Sequence, residues 1–238
     1  MSHFARRLVV SSYHRSVRGD GDDGPSSVVM RMFDVAGATM AGALAAPLWV
    51  LVAATIRVVD GPPVLYRSVR TGRGGTPFVL YKFRTMQTTR ATDSSRGPRI
   101  TALGDARVTR VGTWLRRTKL DEVPQLWNVL RGDMSLVGPR PEDPWYTQRY
   151  SETQRCVLSV RPGLTSPATI AYRHEEAILA GYADREQAYV DEVLPAKLAL
   201  DLVWLEQRSL RADLGVIAAT APALFSRRSS GRQSPPRS

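Results

Sequence analysis

From Val35 to Ile56 the chain runs 22 residues without a charged side chain. A helix of that length rises about 33 Å, enough to cross a bilayer core. Buried helices of soluble proteins seldom run so long without a polar face. A cleaved signal peptide fits poorly. The run begins far from Met1, and Arg57, Arg67, Arg70 and Arg73 follow it. The pattern therefore predicts a membrane-embedded helix. Pro47 stands near its middle, and arginines flank both ends, Arg31 before and the cluster after. Proline removes a backbone donor and kinks a helix. Positive charge on both flanks sets no direction for a crossing. A re-entrant, Pro-kinked helix leaving on the face it entered satisfies both facts. A kinked single span satisfies the composition equally.

The pattern then changes period. Val64–Arg70 and Pro77–Phe83 alternate apolar and polar residues around Thr71-Gly72-Arg73-Gly74-Gly75-Thr76, which predicts a β-hairpin. Its glycines are not a phosphate loop, because no Gly-Lys-Ser/Thr and no helix follow. Residues 106–118 carry Val108, Val111 and Leu115 at helical spacing. Asp121 to Gly132 reads as a second helix, with Asp121 as N-cap, Pro124 in the first turn and Gly132 as the stop. Residues 187–209 show apolar positions at Val190, Val193, Leu194, Leu198, Leu202 and Leu205, a core helix. Leu214–Phe225 is apolar and suited to lying in the headgroup plane. The expected fold class is α+β, predominantly helical and membrane-associated, with a re-entrant helix, a hairpin and amphipathic interfacial helices. Residues 1–27 read as a disordered tail, 28–60 as the membrane helix, 61–225 as a cytoplasmic domain and 226–238 as a basic disordered tail.

Charge sharpens this picture. The net charge is +11. Residues 61–119 hold thirteen Lys or Arg against two acids, whereas 120–215 hold ten bases against fifteen acids. A positive block of this kind attracts an anionic partner: nucleic acid, anionic lipid or a diphosphate. The single cysteine, Cys156, excludes an internal disulfide and reads as a small buried residue. Three histidines with that cysteine do not make a zinc site of ordinary spacing.

The candidate chemistry lies at Asp121-Glu122. An arbitrary acidic pair at this place usually only caps its helix. Here Arg116, Arg117 and Lys119 precede it, and Gly138-Pro139-Arg140-Pro141 follows the helix. A carboxylate among cations is expected to stay ionised, to act as a nucleophile or as a ligand for a hard metal. The arginines would neutralise phosphate oxygens. Lys82 and Arg84 are further candidates for phosphate contact, or else a headgroup-facing strand end.

A family resemblance rests on residues occurring in order: Arg31-Met32-Phe33-Asp34, Arg70-Thr71-Gly72, Tyr81-Lys82-Phe83-Arg84-Thr85-Met86, the unbroken stretch from Leu115 to Pro141, and Arg161-Pro162-Gly163. Across roughly residues 28–225 the chain resembles the bacterial sugar transferases, the monotopic polyprenyl-phosphate phosphoglycosyl transferases. The resemblance implies transfer of a sugar-1-phosphate from a nucleotide sugar to undecaprenyl phosphate at the cytoplasmic face of the bacterial inner membrane, the first step of exopolysaccharide, capsule or O-antigen assembly. It implies Asp121 as nucleophile and magnesium ligand, Glu122 as the residue that positions or deprotonates the acceptor, Mg²⁺ as cofactor, and Arg116 and Arg140 as phosphate contacts. Membrane lipid is an implied partner, nucleic acid is not, and a homo-oligomer is left open. The chain departs from the family at Lys119, where a small residue is usual, and over Leu164–Arg173. The competing reading is a non-catalytic basic protein of membrane or nucleic acid. The absence of a groove-reading motif and the intact acidic pair count against it.

Overall fold

The structure, a computed structural model, describes residues 25–87, 100 and 104–225. Both tails, to residue 24 and from 226, lie outside the described residues. The apolar run is one helix, α1 (Pro25–Thr55), prolonged by a wider helical turn at Ile56–Asp60. It begins inside the stretch assigned to the tail, and Pro47 lies within it without ending it. Among the described residues it is the one helix long and apolar enough to cross a membrane. Only 11% of its most apolar stretch is buried, which sets it apart from a soluble core helix. Leu44, for instance, is 79% exposed.

Both ends of this helix are fastened to the same body. At one end Arg31 donates to the carbonyls of Val129 (2.7 Å) and Leu130 (3.0 Å). Asp34 accepts from the Ser135 hydroxyl (2.9 Å) and the Leu136 amide (2.8 Å). At the other end Val52 and Ile56 pack with Phe83 and Leu115, and Thr109 donates to Asp60 Oδ2 at 2.8 Å. Between them, Ala38 and Trp49 join one apolar cluster with Leu80, Leu126, Val129 and Met134.

The hairpin forms as expected. Strands β1 (Leu65–Thr71) and β2 (Pro77–Phe83) pair antiparallel, from Leu65 opposite Phe83 to Thr71 opposite Pro77. Gly74 and Gly75 take positive φ in the turn, which L side chains resist. Helix α2 (Arg110–Thr118) starts four residues later than the sequence suggests, because Thr109 is its N-cap and accepts from the Gly112 amide at 2.8 Å. Gly112 presses on the Thr85 backbone; a Cβ there would stand 2.1 Å from its carbonyl oxygen. That approach seats α2 on the end of β2.

The helix expected from Asp121 begins later. Leu120–Glu122 is a single 3₁₀ turn, and α3 spans Gln125–Arg131 with Pro124 at its N-cap position. Asp121 therefore caps nothing. Gly132 ends α3 with φ 91°, as expected. Short strands β3 (Ser135–Val137) and β4 (Gly163–Thr165) pair in parallel, a feature invisible in three-residue segments. Residues 144–188 supply single-turn helices. Then α4 (Leu194–Glu206) and α5 (Leu210–Phe225) complete the chain's described part. Val193, Leu194, Leu198 and Leu202 do enter a core, with Tyr146, Tyr150, Val157, Leu179 and the buried Cys156. One side of α5 contacts the β3–β4 region, with Thr165 and Thr220 hydroxyls 2.8 Å apart.

Candidate active site

The turn that carries the acidic pair is set by Lys119. Its φ of 58° is the one positive value at a non-glycine among the described residues. This left-handed residue ends α2 and redirects the chain into the 3₁₀ turn. Successive residues of a 3₁₀ helix point about 120° apart. Asp121 and Glu122, adjacent in sequence, thus enter different surroundings.

Glu122 is surrounded by cations. Its Oε1 accepts from Lys82 Nζ at 2.9 Å and from Arg140 Nη2 at 2.7 Å, and its Oε2 from Arg140 Nη1 at 3.3 Å. Burial alone would raise this carboxyl, but Arg140 and then Lys82 overcome burial and hold it well below the ordinary range. Conversely, Glu122 raises Arg140, while burial lowers Lys82 against the pull of the same carboxylate.

Asp121 is 7% exposed, and its Oδ1 is buried with no hydrogen-bond partner. Burial first, then the Glu122 charge, push its carboxyl up; Lys82, Lys119 and Arg116 oppose them. Burial is the larger effect at Asp121, and the nearest cation, Lys82, is hydrogen-bonded to Glu122 rather than to Asp121. A buried acceptor left unmade costs about 1–3 kcal/mol and is seldom kept without a use.

The other sequence candidates divide. Lys82, at the end of β2, and Arg140 reach the pair. Arg140 is delivered by the turn after β3, where Gly138 N donates to Thr165 O and Gly163 N to Pro139 O, both at 2.9 Å. Arg116 lies at the rim, donating from Nε to Thr85 Oγ1 (3.0 Å) and from Nη1 to Glu176 Oε1 (3.3 Å). Arg84 is engaged elsewhere. It is buried, and Nη2 donates to the carbonyls of Asp60 (2.8 Å) and Gly61 (2.5 Å), clamping the exit of the long helix.

Two supports escaped sequence reading. Asn128 is fully buried; it accepts from the Tyr81 amide (3.1 Å) and donates to Val79 O (2.7 Å), riveting α3 to β2 beside Lys82. A polar residue on the inward face of an otherwise apolar helix was the available signal. The second is a buried ionic network. Lys197 Nζ, on α4, donates to Glu175 Oε2 (2.7 Å), Tyr189 Oη (3.1 Å) and Glu142 Oε1 (3.3 Å). Tyr189 also donates to Glu142 at 2.7 Å.

Among the described residues, three or more His, Cys, Asp or Glu side chains do not gather into a metal site. Magnesium does not require one, since it commonly takes one or two carboxylates and completes its shell with substrate phosphates and water. Asp121 is the carboxylate left to serve as a protein ligand, whereas Glu122 is already occupied by Lys82 and Arg140. A recess of about 490 Å³ at the hairpin tip, lined by Arg73, Phe78, Asp133 and Arg161 among others, shares none of the acidic-pair residues.

The family model described as bacterial sugar transferase matches residues 25–227. The chain is 38% identical over 201 residues to a UDP-glucose:undecaprenyl-phosphate glucose-1-phosphate transferase of Caulobacter vibrioides, covering 82% of this chain and 69% of that protein. It is 35% identical over 207 residues to the exopolysaccharide production protein ExoY of Rhizobium meliloti, covering 82% and 84%. A UDP-N-acetylgalactosamine-undecaprenyl-phosphate N-acetylgalactosaminephosphotransferase of Aeromonas hydrophila is 32% identical over 196 residues, covering 81% of this chain and 42% of its own length.

Proposed function

The chain belongs to the bacterial sugar transferase family, and from that premise we propose that it moves a sugar-1-phosphate from a UDP-sugar to undecaprenyl phosphate at the cytoplasmic face of the inner membrane, starting exopolysaccharide, capsule or O-antigen assembly. The observation that carries the chemistry is the buried, unpartnered Oδ1 of Asp121 beside a cation-braced Glu122. Asp121 attacks the β-phosphorus of the donor. An aspartyl–phosphate bond forms, the bridging P–O bond breaks, and the nucleoside monophosphate leaves with the electron pair. A phosphate oxygen of the acceptor then attacks the same phosphorus and restores the Asp121 carboxylate. Phosphoryl transfer relies on positioning and charge neutralisation, which Arg140, Lys82 and Arg116 supply. Magnesium, held by Asp121 and the donor, would neutralise diphosphate charge. Glu122 serves by holding Arg140 and Lys82 in place. Its carboxyl, kept well below the ordinary range, is a poor proton acceptor.

The anchor reading rests on the two fastened ends of α1. A span would leave one end roughly 30 Å away across the bilayer, whereas Arg31–Asp34 and Val52–Asp60 both bind the catalytic body. This supports the re-entrant helix. Reporter fusions at both termini should read out on the same side; opposite sides overturn it.

The activity test uses the full chain with a panel of UDP-sugars, undecaprenyl phosphate and Mg²⁺. Release of UMP with lipid-linked sugar phosphate is the expected result. Failure with every donor by folded protein, or full activity of Asp121→Asn, overturns the reading.

A further inference from the structure

Arg116 is already occupied before any substrate arrives. Its Nη1 lies 3.3 Å from Glu176 Oε1, while its Nε is fixed by the Thr85 hydroxyl at 3.0 Å. The Glu176 side chain is 49% exposed, so this carboxylate is at the mouth of the site rather than in the core. The turn that presents it is held from inside. The preceding residue, Glu175, accepts from Lys197 Nζ at 2.7 Å, and Leu179 at the end of the same turn is fully buried. Lys197 is itself 5% exposed and also bonds Glu142, two residues beyond Arg140. One buried lysine therefore fixes both the turn that carries Arg140 and the turn that sets Glu176 against Arg116. The departure from the family pattern over Leu164–Arg173 immediately precedes this turn.

Resting on the function proposed above, we propose that Glu176 is an acidic placeholder for the donor diphosphate: it occupies the anion-binding edge of Arg116 and must be displaced when a nucleoside diphosphate binds. Glu176 is thus a positioning and selectivity residue that acts through Arg116. A ligand with two phosphates repays the lost ion pair, and a weakly charged ligand does not. A carboxylate and a phosphate oxygen present the same acceptor geometry to guanidinium nitrogens, so exchange needs no refolding.

The test measures UDP binding by the full-length, detergent-solubilised chain, without turnover. Glu176→Gln keeps the shape and removes the charge at an exposed position. Its UDP affinity should rise roughly two- to five-fold at low salt, the size of an exposed ion pair, and the gain should shrink as salt is raised. In an Arg116→Gln background the same substitution should change nothing. Unchanged or weaker UDP binding by Glu176→Gln overturns the proposal, as does a gain that persists without Arg116. A merely structural role would not produce dependence on both salt and Arg116. Chain that binds UDP with this pattern yet releases no UMP from any donor contradicts the proposed reaction alone. Absence of UDP binding in both proteins overturns both.

Discussion

Two clusters of buried charge lie two residues apart along the chain, and they are completed differently. Around Glu142, Lys197 is met by Glu142, Glu175 and Tyr189, with the Tyr189 ring 5.0 Å beneath its ammonium. Around Arg140, the cations Lys82 and Arg140 both turn to Glu122, and Asp121 Oδ1 is left without a partner. The first cluster is closed on itself and serves the fold. The second is one hydrogen bond short, and under the proposed function that gap receives the reacting phosphorus. Burial penalises charge in both; only where the partners are unequal does one carboxylate remain available for chemistry.

The strongest way to break this contrast is to remove the incomplete group. Asp121→Asn should lower UMP release by about a thousand-fold or more, as loss of a nucleophile does, with little change in thermal stability. Intact-mass analysis after rapid quenching should show a phosphosugar adduct on the unsubstituted chain and none on the variant. If activity survives, the unpartnered oxygen is incidental.

Lys197→Met tests the closed cluster. It leaves the buried Glu142 and the partly buried Glu175 without their cation, so unfolding free energy should fall by about 3–5 kcal/mol, read by denaturant titration. Tyr189→Phe should cost less, about 1–2 kcal/mol, because Lys197 still reaches Glu142. A thermally unchanged Lys197→Met would show that the network is not structural.

The smallest effects come from pH. Burial pushes Asp201 up to about 6. Between the unfolded carboxylate value near 4 and about 6, the folded chain binds more protons than the unfolded one. Asp201 therefore contributes stability at low pH that is lost as pH rises through that window. Glu122 and Glu142, both held below their ordinary values, work in the opposite sense: their contribution is present above the unfolded value and lost as pH falls through the folded one. Asp201→Asn should flatten the first dependence and leave the second. Stability measured every half unit from pH 2 to 7 covers both windows and separates them.

The elements legible along the chain were those with a local cause. The long apolar helix, the hairpin and its glycine turn, the stop at Gly132 and the core stripe of α4 follow from side-chain period and from glycine's access to positive φ. The acidic pair and Lys82 stood out beside the basic run of 61–119, and Arg140 stood out in the Gly138-Pro139-Arg140-Pro141 turn. Asp121 as N-cap was not borne out, because the left-handed Lys119 inserts a 3₁₀ turn before α3. Arg84 looks identical to Lys82 in sequence, two positions along. Strand alternation alone places them on the same face; it does not say that one guanidinium meets the carbonyls of Asp60 and Gly61 while the neighbouring ammonium meets Glu122.

What the amino-acid order determined by itself is therefore the kind of protein this is: a long apolar helix, a basic stretch and an acidic pair in a bacterial sugar transferase. Tertiary structure decided which carboxylate is neutralised and which is left unsatisfied. It also decided that both ends of the apolar helix meet one body, and that Asn128, Lys197 and Glu176 reach Tyr81, Glu142 and Arg116 from far along the chain. The reason is that hydrogen bonds and desolvation depend on who lies within about 3 Å and on what excludes water, and neither distance nor burial is a property of neighbours in sequence.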